Sequence, residues 1–441
     1  MERRIHDPRY ELADPSALRA LQERRLLEMV RFAYATNAFY RERWDAAGVD
    51  VDRLDSIEAF SAAVPMVEKK DFVEDQLAHP PYGRRLERAF ALGERLEVYT
   101  TSGTSGQGVE IHAQTERELA AMVAMYGYLF RWAGLDPGDV ALQTLPITML
   151  GGGRIEWQGA VGYGLTVLPA GNVDVKAKLA LVERFRPRAL YGSTSYFGHM
   201  LAVAGDELPD ESVEVLLTGL EGAGFSYFAQ LEAGWGARVS DRFGNTQLRC
   251  DHMFTCEHGV GTAERPGLLH NIDPFILLEV IDPETGRHVA DGEYGEMVVT
   301  SLYHWDNPVL RCRLRDGGVW HDGRYCPCGR PFGGVEVASI GRTDDVKKVK
   351  GVNIYPQAVD DAVFAFQEAD EYQVVLTSDE RLADVATVLL MTKGGHARDG
   401  LVEELGHRLH QRIGIHFRVE LVEELPRSEY KARRWRDERV R

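Results

Sequence analysis

The stretch Tyr99-Thr100-Thr101-Ser102-Gly103-Thr104-Ser105-Gly106-Gln107-Gly108 is almost entirely hydroxyls, glycine and one amide. Glycines let a backbone approach a ligand closely. Successive main-chain N–H groups in such a turn form an anion-binding nest, and hydroxyls add donors without bulk. The chemistry this composition suits is phosphate binding, with a solvated surface loop as the competing reading. It is not the lysine-terminated GxxxxGK[ST] loop, because Gln107 stands where a lysine would help. A second group of chemically capable residues is sulfur-rich. Cys250 and Cys256 are followed about 70 residues later by Cys326-Pro327-Cys328-Gly329, with His252, His258 and His270 between. Thiolates and an imidazole at such spacing suit tetrahedral Zn²⁺, against the alternative of reduced, unligated thiols.

These groups need elements to position them. Residues 16–47 carry apolar positions at helical spacing and predict a helix. From about 95 to 300, short β-rich runs (VALQTLPI, GLTVLPA, PRALYGS, VEVLLTG, ARVSDRFG) alternate with helical stretches at 115–133, 174–186 and 195–205. That alternation predicts an α/β domain with a largely parallel sheet. FILLEVID and GEMVVTSL then read as strands around a PETG turn. Near residue 341 the texture becomes polar and glycine-bearing. A compact pattern follows: a helix at 356–368, strands YQVVLTS and ATVLLMT, a helix at 397–413 and strand FRVELVE. The expected organisation is a large domain over 1–340 and a small α+β domain over 341–441.

The bulk numbers agree with two domains: 441 residues exceed one ordinary core, and 44% hydrophobic with 27% charged residues fits a globular protein. A net charge of −17 argues against nonspecific binding to nucleic acid or an anionic membrane. No apolar run reaches the length of a membrane span, and the N-terminus has no signal-peptide pattern. The cytoplasm is therefore the expected compartment, with neither membrane nor nucleic acid as partner. Five cysteines, few and odd in number, do not make a disulfide framework. A homodimer is compatible with the chain, but oligomeric state is not set by it.

Several segments, in order, carry a resemblance. TSGTSGQG resembles the Ser/Thr/Gly phosphate loop of adenylate-forming enzymes, specifically their phenylacetate–CoA ligase-like branch. Arg242-Phe243-Gly244-Asn245-Thr246-Gln247 resembles that family's aromatic-Gly-x-Thr/Ser-Glu motif. GEYGEMVVTSL at 292–302 and PVLRCRLRD at 308–316 are similar to its GE-x-GEL-V-T-x-L and PLIRYRTGD segments. CPCGR at 326–330, GRTDD at 341–345, KGVNIYP at 350–356 and PRSEYK at 426–431 complete the series, so the match spans about 95 to 435.

The resemblance implies ATP-dependent activation of a carboxylic acid to an acyl-adenylate, then transfer to coenzyme A. It implies a large adenylate-forming domain with mixed sheets and a mobile C-terminal domain. Thr100, Thr101, Ser102, Gly103, Thr104, Ser105 and Gly106 would hold ATP phosphates. Phe243 would stack on adenine with Gly244 beside it in the nucleotide site, and Gly219, Glu221 and Gly222 would line the base from the other side. Asp316 would accept from the ribose hydroxyls, because a carboxylate offers two acceptor oxygens. Arg342 would sit near ribose or phosphate, and Asp345 near the hinge. Lys431, a point charge on a flexible stem, would reach the α-phosphate.

Thr246 and Gln247 would meet Mg²⁺; the family has an acid at the second position, and a neutral amide oxygen still ligates a hard cation without the charge. In the resembled branch, Cys…His…CxC sets point to Cys256, His270, Cys326 and Cys328 as a structural Zn²⁺ site, with Cys250 a spare candidate and Cys312 a core side chain. Tyr126, Trp157 and Tyr196, with Tyr128 and Trp132 nearby, would shape a pocket for an aromatic acid. Two other functions fit the same residues: adenylation with an amine, a nitrogen species or a carrier-protein thiol as acceptor, and a catalytically weak nucleotide-binding protein, which Gln247 favours.

Overall fold

The structure is a computed structural model that describes residues 3–101, 109–205, 208, 212–342, 347–350, 352–379, 384–426 and 434–439. Its spine is a 12-stranded sheet made of two halves. In one half, strands Thr166–Pro169, Val140–Gln143, Ala189–Tyr191, Val215–Thr218 and Arg238–Asn245 run parallel. These are the β-rich runs of the alternating region; the first four are short and mostly apolar, and the fifth is longer and carries Asp241 and Arg242. Helices Glu116–Trp132, Gly151–Tyr163, Val175–Phe185, Thr194–Ala204 and Phe225–Trp235 are interleaved with them along the chain. Arg238–Asn245 is the turning point, because its other neighbour, Cys250–Thr255, is antiparallel. The sheet then continues antiparallel through Leu268–Asn271, Gly334–Glu336, Cys312–His321, Tyr294–Ser301 and Ile276–Ile281. The expectation of a largely parallel sheet thus covers only the first half. Hairpin-like connections in the second half give the mixed sheet.

The predicted helix over 16–47 is two helices, Pro15–Thr36 and Ala38–Ala46. Asn37 breaks it by taking an extended backbone, and its side-chain amide donates to the Arg85 carbonyl at 3.0 Å. Asp14 caps the first helix through the Ser16 N–H, and proline follows at the first helical position, where no N–H is needed.

The hairpin Leu96–Thr100 with Ile111–Thr115 carries the Ser/Thr/Gly loop between its strands. Thr101 N–H donates to the Glu110 carbonyl at 3.0 Å, and Glu110 N–H donates to Thr101 Oγ1 at 3.0 Å, so the loop leaves and re-enters the fold at one closed neck.

The C-terminal segment forms a four-stranded sheet in the order Phe417–Leu421, Asp384–Thr392, Ala369–Ser378, Trp435–Asp437. Helices Pro356–Val363 and Leu401–Ile413 accompany it. The first is shorter than the predicted 356–368, and Leu401–Ile413 begins after Gly400, whose φ of +81° suits glycine. Gly341 and Arg342 still pair with the large sheet, opposite Gly317 and Asp316. Among the described residues no helix is long and apolar enough to cross a membrane.

Candidate nucleotide and metal sites

The carboxyl end of Arg238–Asn245 opens into a cavity of about 640 Å³ between the large sheet and the C-terminal segment. Ligands in open α/β sheets gather at such strand ends. Its walls bring together distant parts of the chain: Thr101, Glu221 and Gly222, Phe243 to Gln247, Asp316, Arg342, and Asp360 with Arg434 from the C-terminal segment.

Phe243 is half-buried and meets His252 edge-on at 5.9 Å between ring centres. Glu221 accepts from the Ser195 N–H at 2.6 Å, which fixes the turn below it. Gly222 faces Gln357 and the Ile340 carbonyl, where a Cβ would stand 3.2 Å from each. Asp316 and Arg342 face one another at 4.0 Å from adjacent antiparallel strands. Gly219 does not line the cavity; it packs against the Arg242 guanidinium. Ser102, Gly103, Thr104, Ser105, Gly106, Asp345 and Lys431 lie outside the described residues. Thr100 is anchored through its N–H to the Met149 carbonyl at 2.8 Å.

The cavity also holds groups the motifs did not point to. Asp241, one residue before the Arg242–Gln247 motif, accepts from Thr218 Oγ1 at 2.7 Å, and burial pushes its carboxyl up to about 6. Its place directly before the motif was the available signal. Gln247 donates from Nε2 to Glu110 Oε2 at 3.0 Å. Burial drives the Glu110 carboxyl upward, but His112, Arg85 and Gln247 outweigh it and leave it below the ordinary carboxylate range. Burial lowers His112 in turn. Nothing in the pattern VEIH marks Glu110 as buried; a lone Glu at a strand start reads as a solvated charge.

Tyr126, Trp157 and Tyr196 do not line this cavity. Tyr126 is sealed and donates to Asp251 Oδ2 at 3.0 Å, while Tyr196 accepts from buried Lys178 Nζ at 2.8 Å. Trp157, on the helix Gly151–Tyr163, is half-buried. Packing and hydrogen bonding account for the two tyrosines.

Cys256, His270, Cys326 and Cys328 converge, with one ligand atom from each inside a 4.8 Å cluster. Cys256 Sγ and Cys326 Sγ are 3.7 Å apart, close to the ~3.8 Å edge of a tetrahedron with Zn–S bonds of about 2.3 Å. His270 turns Nε2 toward Cys328 Sγ at 3.5 Å, while its Nδ1 lies 2.9 Å from the Phe332 carbonyl, an outer contact that orients the ring. His258 is exposed, Cys250 instead accepts from Tyr303 OH at 3.4 Å, and Cys312 is a buried core side chain. Contact with Cys326 and Cys328 pushes the Cys256 thiol up, and contact with Cys256 holds Cys328 down. The donor set, closed and buried, fits a structural tetrahedral ion.

The site is clasped from outside by the N-terminus. Arg330, two residues past Cys328, is completely buried and donates to Glu11 at 2.8 Å and to both Glu257 oxygens at 3.0 and 2.8 Å.

The AMP-binding enzyme family model matches residues 21–303, and the AMP-binding enzyme C-terminal domain model matches residues 351–439. The chain belongs to the AMP-binding enzyme family. Among its relatives are the phenylacetate-coenzyme A ligase of Thermus thermophilus, 28% identical over 96% of this chain and 97% of that protein, and that of Pseudomonas putida, 27% identical over 100% and 98%. Among solved structures, this AMP-binding enzyme superposes on a 2-hydroxyisobutyryl-CoA ligase in its postadenylation state, in complex with 2-HIB-AMP, with a TM-score of 0.86. That pair is 25% identical, covering 98% of this chain and 91% of the other. Against the same ligase with CoA in the thioesterification state the TM-score is 0.68, at 26% identity over 98% and 92% of the two chains. The mixed-sheet lobe with a smaller α+β lobe is the architecture they share.

Proposed function

We propose that the protein activates a carboxylic acid with ATP, releasing pyrophosphate, and then passes the acyl group from the acyl-adenylate to coenzyme A. The observation that carries this reading is the shared cavity. Phe243, Asp316 with Arg342, the neck of the Ser/Thr/Gly loop and the C-terminal segment all meet there, over the carboxyl end of one strand. In this reading Phe243 and Gly244 form one wall of the adenine slot, and Glu221 and Gly222 form the other. Asp316 takes both ribose hydroxyls. The loop over 100–106 supplies amide and hydroxyl donors to the phosphates. Lys431 brings its ammonium to the oxygens that gain charge as the new bond forms, and catalysis is mostly positioning and electrostatics.

Mg²⁺ neutralises phosphate charge when bound. Thr246 and Gln247 offer neutral oxygens to it, which suits a hard cation that keeps water and phosphate oxygens as its other ligands. The domains we assign are 1–340 and 341–441, with the second lobe turning about residues near their junction between the half-reactions. A flat aromatic acid is our assignment for the acyl group. An amine or carrier-protein thiol remains the alternative acceptor.

The test is pyrophosphate release with Mg-ATP and a panel of aromatic and aliphatic acids, with and without coenzyme A. Acid-dependent release together with AMP and a thioester is expected. Nucleotide binding without turnover for any acid would sink the reading.

We also assign Cys256, His270, Cys326 and Cys328 to one structural Zn²⁺. Metal analysis of gently purified protein should find about one zinc per chain, and Cys326→Ser should lose it together with thermal stability. A fully folded, stable chain without metal would contradict the assignment.

A further inference from the structure

Glu110 is a completely buried carboxylate that the reaction as described does not use. Three side chains aim at it: Gln247 Nε2 at 3.0 Å, Arg85 Nη2 at 3.3 Å and His112 Nε2 at 3.4 Å. Its main chain closes the neck of the Ser/Thr/Gly loop on Thr101. It therefore ties Thr101 to Gln247, both of which line the cavity. An ionised carboxylate only accepts hydrogen bonds, so it settles which end of the Gln247 amide it holds. The NH₂ end faces Glu110, and Oε1 is left without a hydrogen-bond partner among the described residues. Gln247 itself lines the cavity.

We propose that Glu110 is a positioning residue for the nucleotide's divalent cation: it orients the Gln247 carbonyl oxygen toward the metal and supplies, from beneath, the negative charge that a glutamine lacks. Arg85 locks the carboxylate from behind, and it is itself held by Asn307. The pairing explains why a neutral residue serves at position 247. A carboxylate there would touch Glu110, and two like charges in one buried contact repel. The negative charge has been moved one layer inward, and the amide transmits its effect as an oriented dipole.

This inference rests on the adenylating function. Its test uses the full chain with α,β-methylene-ATP and Mn²⁺, with free Mn²⁺ followed by electron paramagnetic resonance. The wild type should retain Mn²⁺ in the ternary complex. Glu110→Gln should weaken Mn²⁺ retention about tenfold or more, while affinity for the metal-free nucleotide analogue stays the same. Gln247→Glu alone should lower the melting temperature. The exchange Glu110→Gln with Gln247→Glu restores one carboxylate and one amide to the pair, and should recover both the melting temperature and Mn²⁺ retention.

A merely structural Glu110 would change the melting temperature without changing Mn²⁺ affinity. Retention by Glu110→Gln within about twofold of wild type overturns the proposal. If that variant does not fold, the exchange variant decides: folded but poor in Mn²⁺ overturns it, folded and competent supports it. Failure of the wild type to hold Mn²⁺ with the nucleotide would overturn this inference and the adenylating function together, whereas failure of Glu110→Gln to differ would remove only the inference.

Discussion

Arg242 lies sealed under the cavity floor between two carboxylates. It donates to Glu156, and its Nε stands 3.4 Å from Asp251 Oδ2. Its guanidinium also lies over the Tyr191 ring at 4.6 Å. One cation facing two buried acids leaves an excess negative charge, and burial is the strongest influence on Glu156, pushing its carboxyl up to about 8. A raised carboxyl binds its proton more tightly in the folded chain than in the unfolded one. Stability from that group is therefore full below the unfolded value of 4.5 and falls as pH rises to about 8. Glu156→Gln keeps the shape without the titration. Thermal melts of the two proteins from pH 5 to 8.5 should show the variant gaining on the wild type by up to about 1.4 kcal/mol per pH unit. Parallel curves would mean Glu156 is ionised throughout.

The Arg242-to-Gln247 motif was legible as a motif, and it was the resemblance carried by that motif that pointed to Phe243. The burial of Arg242 was not legible, because its partner Glu156 comes from a helix far away in the chain and Asp251 from the next strand, across a turn. Glu110 and Asp241 were missed for the same reason: a carboxylate is read as solvated until a structure supplies the donors that bury it.

Among the elements, the C-terminal tail departs most from its appearance in the sequence. Three residues past Lys431, which the resemblance aims at the α-phosphate, stands another cation. Arg434 is instead an internal counter-ion, with Asp360 at 3.0 Å and Glu371 at 2.7 Å, its guanidinium stacked near Tyr227, Phe364 and Tyr372. From this plug the chain runs into Trp435–Asp437, which pairs parallel with Ala369–Ser378.

Arg434→Met removes the charge and leaves two buried acids unpaired, a change that destabilises by about 3–5 kcal/mol. Urea unfolding followed by probes in each lobe should show the C-terminal lobe melting first in the variant, with adenylation lost before the large lobe unfolds. A single unshifted transition would show that the plug does not hold the tail. Long periodic elements such as Glu116–Trp132 were readable because their apolar spacing alone specifies them. The break at Asn37 was not, since one side-chain hydrogen bond to a distant carbonyl decides it.

At the scale of the whole molecule, the two lobes meet through Gln230 with the Phe364 carbonyl, and through Tyr227 with Phe364 at 4.3 Å between ring centres. The TM-score is 0.86 against the ligase in its postadenylation state and 0.68 against the same ligase in its thioesterification state. That a large sheet domain precedes a small α+β domain was readable from the change of texture along the chain. Their relative placement was not, because few residues cross the junction and none carries a pattern.

The central claim is that an acyl-adenylate forms in this cavity before any thiol arrives. The direct measurement is a single turnover with enzyme in excess, an accepted acid and Mg-ATP, quenched and analysed by mass spectrometry. The account predicts acyl-AMP accumulating without coenzyme A, then converting to thioester and AMP when coenzyme A is added. Thioester appearing with no acyl-AMP at any time, or an acyl-phosphate in its place, would contradict it.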